Sequence, residues 1–238
     1  VSKRLTEVIL SPVRVDTHLV QCGECHLAYV SPRPTPEIER CFYEEEYFEK
    51  GSEKEWKNDR LEFFRFALRH IERRIPKGKI LDVGCGAGYF LEIARERGWQ
   101  TKGTDLSIEA LKRAKESGLD VEQGDLHDLH LTANEYSCIS LWNVLDQMID
   151  PQRQVLGVRE LLVEGGVLAL RISNLSFHLT LHRLWNFAIQ LNWIPSNRIR
   201  PTVFHLQMFN AATIRHLLQR AGFEQIEALN SPLDDQSQ

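Results

Sequence analysis

The chain lacks any apolar run approaching the ~20 residues of a membrane-spanning helix, and its opening Val1-Ser2-Lys3-Arg4 leads only into Val8-Ile9-Leu10 before Ser11-Pro12. Neither a membrane span nor a secretory signal is expected. An excess of charge is missing too, since 29 Lys and Arg against 33 Asp and Glu leave a formal net charge of -4. A nucleic-acid binder ordinarily shows a basic face, so no nucleic-acid partner is expected. Cysteines number five, with Cys85 in a glycine-rich loop and Cys138 in an apolar run. An odd count so placed makes no disulfide framework and points to a reducing, cytoplasmic setting. Internal repeats and low-complexity stretches are absent. What remains is ordinary globular usage: 42% hydrophobic and 26% charged residues over 238 positions, enough to bury a full core.

The most informative stretch is Lys79-Ile80-Leu81-Asp82-Val83-Gly84-Cys85-Gly86-Ala87-Gly88. Apolar residues ending in an acid, then glycines at alternate positions before a helix-compatible segment, describe a buried strand turning sharply into a helix beneath a ligand. Three glycines in five residues need a local reason, because glycine permits positive φ and close approach to the backbone. The dinucleotide fingerprint wants a third glycine three places after the second, and that place holds Tyr89. A nicotinamide oxidoreductase is therefore disfavoured. Asp82 would repel a phosphate yet accept from an ammonium group, which suits S-adenosylmethionine as the cofactor.

Leu81 to Gly88 resembles the first motif of the class I S-adenosylmethionine-dependent methyltransferases, hydrophobic-hydrophobic-Asp-hydrophobic-Gly-x-Gly-x-Gly. The resemblance implies an α/β fold: a doubly wound Rossmann-like methyltransferase sheet with an N-terminal hairpin and a helical lid. It implies cofactor contacts at Asp82, Gly84, Gly86 and Gly88. A second strand at Gln100 to Gly103 is closed by Asp105, carried over as the ribose ligand with Leu106 beside it, and Ser107 caps the next helix. After a third short strand ending near Val121 to Gln123, Asp125 and Leu126 take the adenine positions that the resemblance implies. A fourth strand, Cys138 to Trp142, leads to Asn143, the next cofactor contact. Many relatives carry Glu-His where this chain has Asp146-Gln147. Gln cannot take a proton at neutral pH, so a general base at that position is lost. Leu162-Val163-Glu164-Gly165-Gly166 resembles the family's turn before a fifth strand, Val167 to Ile172.

Gln21 to Pro34, with Cys22-Gly23-Glu24-Cys25, resembles the amino-terminal module of one methyltransferase subgroup, which has a further Cys pair upstream that is missing here. A lone pair of cysteines is half of a tetrahedral zinc site, and the reading is a metal-free hairpin. The same subgroup implies a cofactor contact for Tyr47. Leu61, Phe64, Leu68, Ile71 and Ile75 share one helical face, as expected of a docking helix ended by Pro76-Lys77-Gly78. The expected boundaries are residues 1–35 for the hairpin module, 36–76 for the lid, and 77–231 for the cofactor domain with an insertion at about 174–203.

That insertion is aromatic-rich from Ser176 to Trp193, and His178 and His182 on it are expected at the surface or a pocket rim. Phe204-His205-Leu206-Gln207-Met208-Phe209 resembles a subgroup motif ahead of the last helix, and His205 is the candidate catalytic imidazole. The family's sheet has seven strands, yet after Phe223 to Leu229 only a polar tail remains. With no initial methionine and half a zinc site, the chain reads as a piece of something longer. The implied activity is methyl transfer, O-methylation foremost, to a small-molecule, sugar or lipid-linked substrate. A noncatalytic S-adenosylmethionine-binding or scaffold protein is the alternative.

Overall fold

Ile80, Leu81 and Val83 bury on both faces of a short strand, β4 (Lys79–Val83), as a central parallel strand requires. In the computed structural model, which describes residues 3–10, 15–33, 53–195 and 205–229, β4 is the middle of a five-stranded parallel sheet. β5 (Gln100–Asp105) and β6 (Val121–Gln123) lie on one side of it, and β7 (Tyr136–Trp142) and β8 (Leu162–Arg171) on the other. The order therefore reverses at β4, and the carboxyl ends of β4, β5 and β7 open onto one crevice.

Helices cover both faces. α1 (Glu53–Glu72), α2 (Tyr89–Glu96) and α3 (Ile108–Glu116) pack one face, where Leu68, Ile80, Phe90, Leu111 and Cys138 meet. α4 (Pro151–Leu161) and α6 (Ala211–Arg220) pack the other through Leu81, Ile139, Val158 and Leu218. The alternation along β4 sorts its side chains between these two cores. Asp150 caps α4 and Asn210 caps α6, each side chain accepting from backbone N–H groups of the first turn. Between them, α5 (Leu175–Gln190) is the insertion helix.

The doubly wound expectation holds, with three differences. The amino-terminal part is more than a hairpin: β1 (Lys3–Leu10), β2 (Val15–Gln21) and β3 (Ala28–Ser31) form an antiparallel sheet whose fourth strand, β9 (Gln207–Met208), comes from far along the chain. The expected turn at Gly165-Gly166 is instead part of β8, which starts directly after α4; Gly165, at φ +74°, absorbs the register shift opposite Tyr136 and Cys138. Among the described residues the parallel sheet has five strands, and 223–229 form none. Phe223 and Ile226 pack, partly buried, on the α4–α6 core instead.

Among the described residues no helix is long and apolar enough to cross a membrane.

Candidate functional site

The three glycines of the loop after β4 all have positive φ, +71° at Gly84, +54° at Gly86 and +83° at Gly88, but their surroundings differ. A Cβ at Gly84 would lie 2.5 Å from Val144 Cγ2, and one at Gly88 would collide with Leu119. Those two serve close packing inside the protein. At Gly86 a Cβ would meet nothing within 4 Å, so of the three this glycine alone faces open space. The loop is pinned to β5, since the Gly84 and Cys85 N–H groups donate to the Thr104 carbonyl at 2.7 and 2.9 Å.

Asp105, at the end of β5, is tied to the same loop. Its Oδ2 accepts the Gly86 N–H at 2.8 Å and its Oδ1 accepts the Ser107 N–H at 2.8 Å. Burial raises its carboxyl above the ordinary value, while these backbone donors oppose the rise. A carboxylate has about four lone-pair positions, so room for hydroxyl donors remains. Leu106 follows it with its side chain 62% exposed.

Asp82 lies deeper. Its side chain is 1% exposed, and Ser140 Oγ donates to its Oδ1 at 2.7 Å. Burial pushes its carboxyl up to about 8, with the Ser140 bond opposing and the Asp105 charge adding to the rise. Ser140 carried no signal in the sequence, because its role depends on β4 and β7 being neighbours in register, Asp82 opposite Ser140.

On the far side, Asp125 Oδ2 accepts from Gln154 Nε2 at 2.6 Å and Oδ1 from the His127 N–H at 3.0 Å. Leu126 turns its side chain into the core, 4% exposed, against residues such as Leu81 and Val83. Asn143 ends β7 at φ +59°, exposed, its N–H donating to the Arg171 carbonyl at 2.9 Å. Tyr47 lies outside the described residues.

Between α1 and α2, Trp142 at the end of β7 stands among Phe63 and Phe90, ring centroids 5.2 and 5.0 Å away. Arg171, at the end of β8, places its guanidinium 4.5 Å from the Phe63 ring centroid. Burial and nearby Arg60 both depress its ionisation.

His205 stands next to the turn after Asn143. Its Nδ1 meets the Gln147 side-chain amide, and its Nε2 lies 3.9 Å from Asp146 Oδ2. Asp146 is fully buried, its Oδ2 also accepting the Ser173 N–H at 3.2 Å. The structure thus brings His205 against the adjacent pair Asp146 and Gln147, from which it is far in the chain. His178 is close enough that, after burial, His205 lowers its proton affinity and Asp146 raises it. His182, expected like His178 at the surface or a pocket rim, is buried, 5% exposed, its Nε2 facing Asn186 Nδ2 at 3.1 Å one turn further along α5.

Cys22 and Cys25 sit in the turn between β2 and β3, both as free thiols, and among the described residues no three His, Cys, Asp or Glu side chains are grouped to hold a metal.

The family described as "Methyltransferase domain" matches residues 53–228. Among curated proteins, the ubiquinone biosynthesis O-methyltransferase of Coxiella burnetii is 29% identical over 136 residues, covering 54% of this chain and 58% of that protein. That of an Azoarcus species is 27% identical over 153 residues, covering 61% and 64%. The chain therefore spans less than two thirds of the length of these relatives. Among solved structures, a SAM-dependent methyltransferase from Archaeoglobus fulgidus aligns with TM-score 0.56 at 21% identity, over 75% of each chain. The phosphoethanolamine N-methyltransferase 2 of Haemonchus contortus, in complex with S-adenosyl-L-methionine, aligns with TM-score 0.56 at 16% identity, over 84% of this chain and 47% of that one. At these identities the structures speak for the fold.

Proposed function

The chain belongs to the methyltransferase-domain family, and we propose that it moves a methyl group from S-adenosylmethionine to an oxygen of a small-molecule, sugar or lipid-linked acceptor. The observation that carries this reading is the open space over Gly86, bordered by Asp105 and the exposed Leu106 at the end of β5. The residues present fit the cofactor. Asp105 would accept from the ribose hydroxyls, Leu106 would cover the adenine ring, Asp82 would face the ammonium group, and Asn143 and Asp125 would border the two ends. Tyr47 is assigned to the same pocket from the subgroup resemblance alone. Oxygen as the acceptor atom is supported by the relatives named O-methyltransferases.

When bound, S-adenosylmethionine supplies a methyl group made electrophilic by its sulfonium. What this chain adds is alignment, which can be worth roughly 7–11 kcal/mol in favourable cases, and a proton acceptor in His205. Gln147 replaces the usual imidazole, and the structure sets His205 against it. The residue order changes while an imidazole stays beside the crevice.

We also assign the chain to the subgroup with an amino-terminal CxxC module, on Cys22 and Cys25, and to a reducing cytoplasmic setting, on its free thiols. The proposed units remain 1–35, 36–76 and 77–231.

The test is mass spectrometry of the ligand retained by purified protein, followed by incubation with S-adenosylmethionine and a panel of hydroxylated acceptors. Retained S-adenosylmethionine or S-adenosylhomocysteine and an acceptor heavier by one methylene support the reading. A retained nicotinamide cofactor, or cofactor binding with no methyl transfer across the panel, overturns it, the second outcome favouring a noncatalytic binder.

A further inference from the structure

We propose that Asp146 is a positioning residue: it holds the His205 imidazole in the tautomer with hydrogen on Nε2, which leaves Nδ1 as the atom that takes the acceptor's proton. This rests on the reading of His205 as the base. The geometry is specific. Asp146 is fully buried, its Oδ2 accepts the Ser173 N–H at 3.2 Å and lies 3.9 Å from His205 Nε2, and its Oδ1 has no hydrogen-bond partner among the described residues. A buried carboxylate is tolerated when donors face it, and the donor that His205 can offer is Nε2–H. On the other side of the ring the Gln147 Nε2 amide meets Nδ1. In this orientation the amide donates and Nδ1 accepts. Both contacts are compatible with the tautomer that carries hydrogen on Nε2.

Nδ1 has one lone pair, so for the step the acceptor's hydroxyl displaces the Gln147 N–H and presents its own donor to the same atom. The step then balances. The acceptor's O–H bond breaks and the proton goes to Nδ1, the oxygen pair forms the new C–O bond, and the electrons of the broken S–C bond stay on sulfur. His205 leaves the step as an imidazolium beside the Asp146 carboxylate, an arrangement in which an acid orients the base and stabilises its charged form. His178 on α5 is a further titratable group near the pair. Its like charge, when present, opposes the imidazolium and makes the carboxylate more needed.

Long-range proton–nitrogen NMR of the histidine rings, on the full chain saturated with S-adenosylhomocysteine above neutral pH, reads the tautomer directly. His205 is expected wholly with hydrogen on Nε2, Asp146→Asn is expected to lose that single form, and Asp146→Glu to restore it. Hydrogen on Nδ1 in the unaltered chain overturns the proposal, as does an Asp146→Asn spectrum unchanged at His205. If Asp146→Asn fails to fold, the unaltered chain and Gln147→Ala decide it: both keep hydrogen on Nε2, and a change in Gln147→Ala would mean that the amide, not the carboxylate, sets the tautomer. In turnover, Asp146→Asn should lower kcat roughly 10–10³-fold with KM for S-adenosylmethionine unchanged, and should cost nothing further once His205→Ala is present. Loss in His205→Ala but none in Asp146→Asn removes the positioning role and leaves the base. Full turnover in His205→Ala removes both.

Discussion

The carboxylate of Asp105 accepts the Gly86 N–H at 2.8 Å, so the acid that ends β5 holds the glycine turn that ends β4. Two residues expected to touch a cofactor independently are one unit. A change at Asp105 therefore disturbs the loop whatever it does to the proposed ligand, and the predictions below separate the two.

Gly86→Val should abolish S-adenosylmethionine binding while the chain still folds, because the added side chain enters open space and the left-handed backbone costs only about 1–2 kcal/mol. Gly88→Val should instead lower the melting temperature by more, since its Cβ collides with Leu119 and adds about 1–3 kcal/mol of overpacking. Calorimetric titration beside thermal melts reads both. Normal binding by folded Gly86→Val would move the cofactor elsewhere.

Asp105→Ala should weaken S-adenosylmethionine by roughly 1.5–3 kcal/mol, the range for hydrogen bonds to a charged group. Asp105→Asn, which keeps an oxygen for the Gly86 N–H, should lose less. A dissociation constant unchanged in both would deny the ribose role.

Leu106→Ser should weaken the cofactor by about 1 kcal/mol, the value of apolar area that a bound ring would cover, and leave the melting temperature of the ligand-free chain within a degree or so, as expected of an exposed side chain in a chain of this size. An equal drop in stability would show that Leu106 packs within the protein instead.

Asp82 gives a pH dependence. Burial pushes its carboxyl from 3.8 up to about 8, so between those values the folded chain keeps a proton that the unfolded chain releases. That contribution to stability is fully present below about 4 and is lost as pH rises through 8. Burial of Asp105 acts in the same direction, so the comparison must be with Asp82→Asn, which keeps the neighbour. In thermal or urea melts of ligand-free protein, Asp82→Asn should gain on the unaltered chain from pH 5 to pH 8, by on the order of a few kcal/mol. A constant difference across that window would mean that Asp82 is ionised in the fold.

His205→Ala should lower the methyl-transfer rate roughly 10²–10⁴-fold with cofactor affinity intact. Equal turnover in both proteins would leave alignment alone as the source of the rate.

The sequence by itself determined the parallel sheet and its turn into α2, because both are local. An apolar run with an acid at its end, alternate glycines and a helix face within about twenty residues leave little choice of conformation. It also named Asp105 and Gly86, though not that one holds the other. Only the tertiary structure decided the rest, since each remaining feature joins segments that no spacing rule connects. β9 pairs with β3 across most of the chain, Ser140 reaches Asp82 because two strands share a register, and Asp146 meets His205 across 59 positions because the segment before α6 folds back over the end of β7. The same holds for the three glycines. Their spacing shows that positive φ is needed, but whether a missing Cβ leaves room for a neighbouring side chain or for a ligand depends on what stands opposite, and only at Gly86 does nothing stand there.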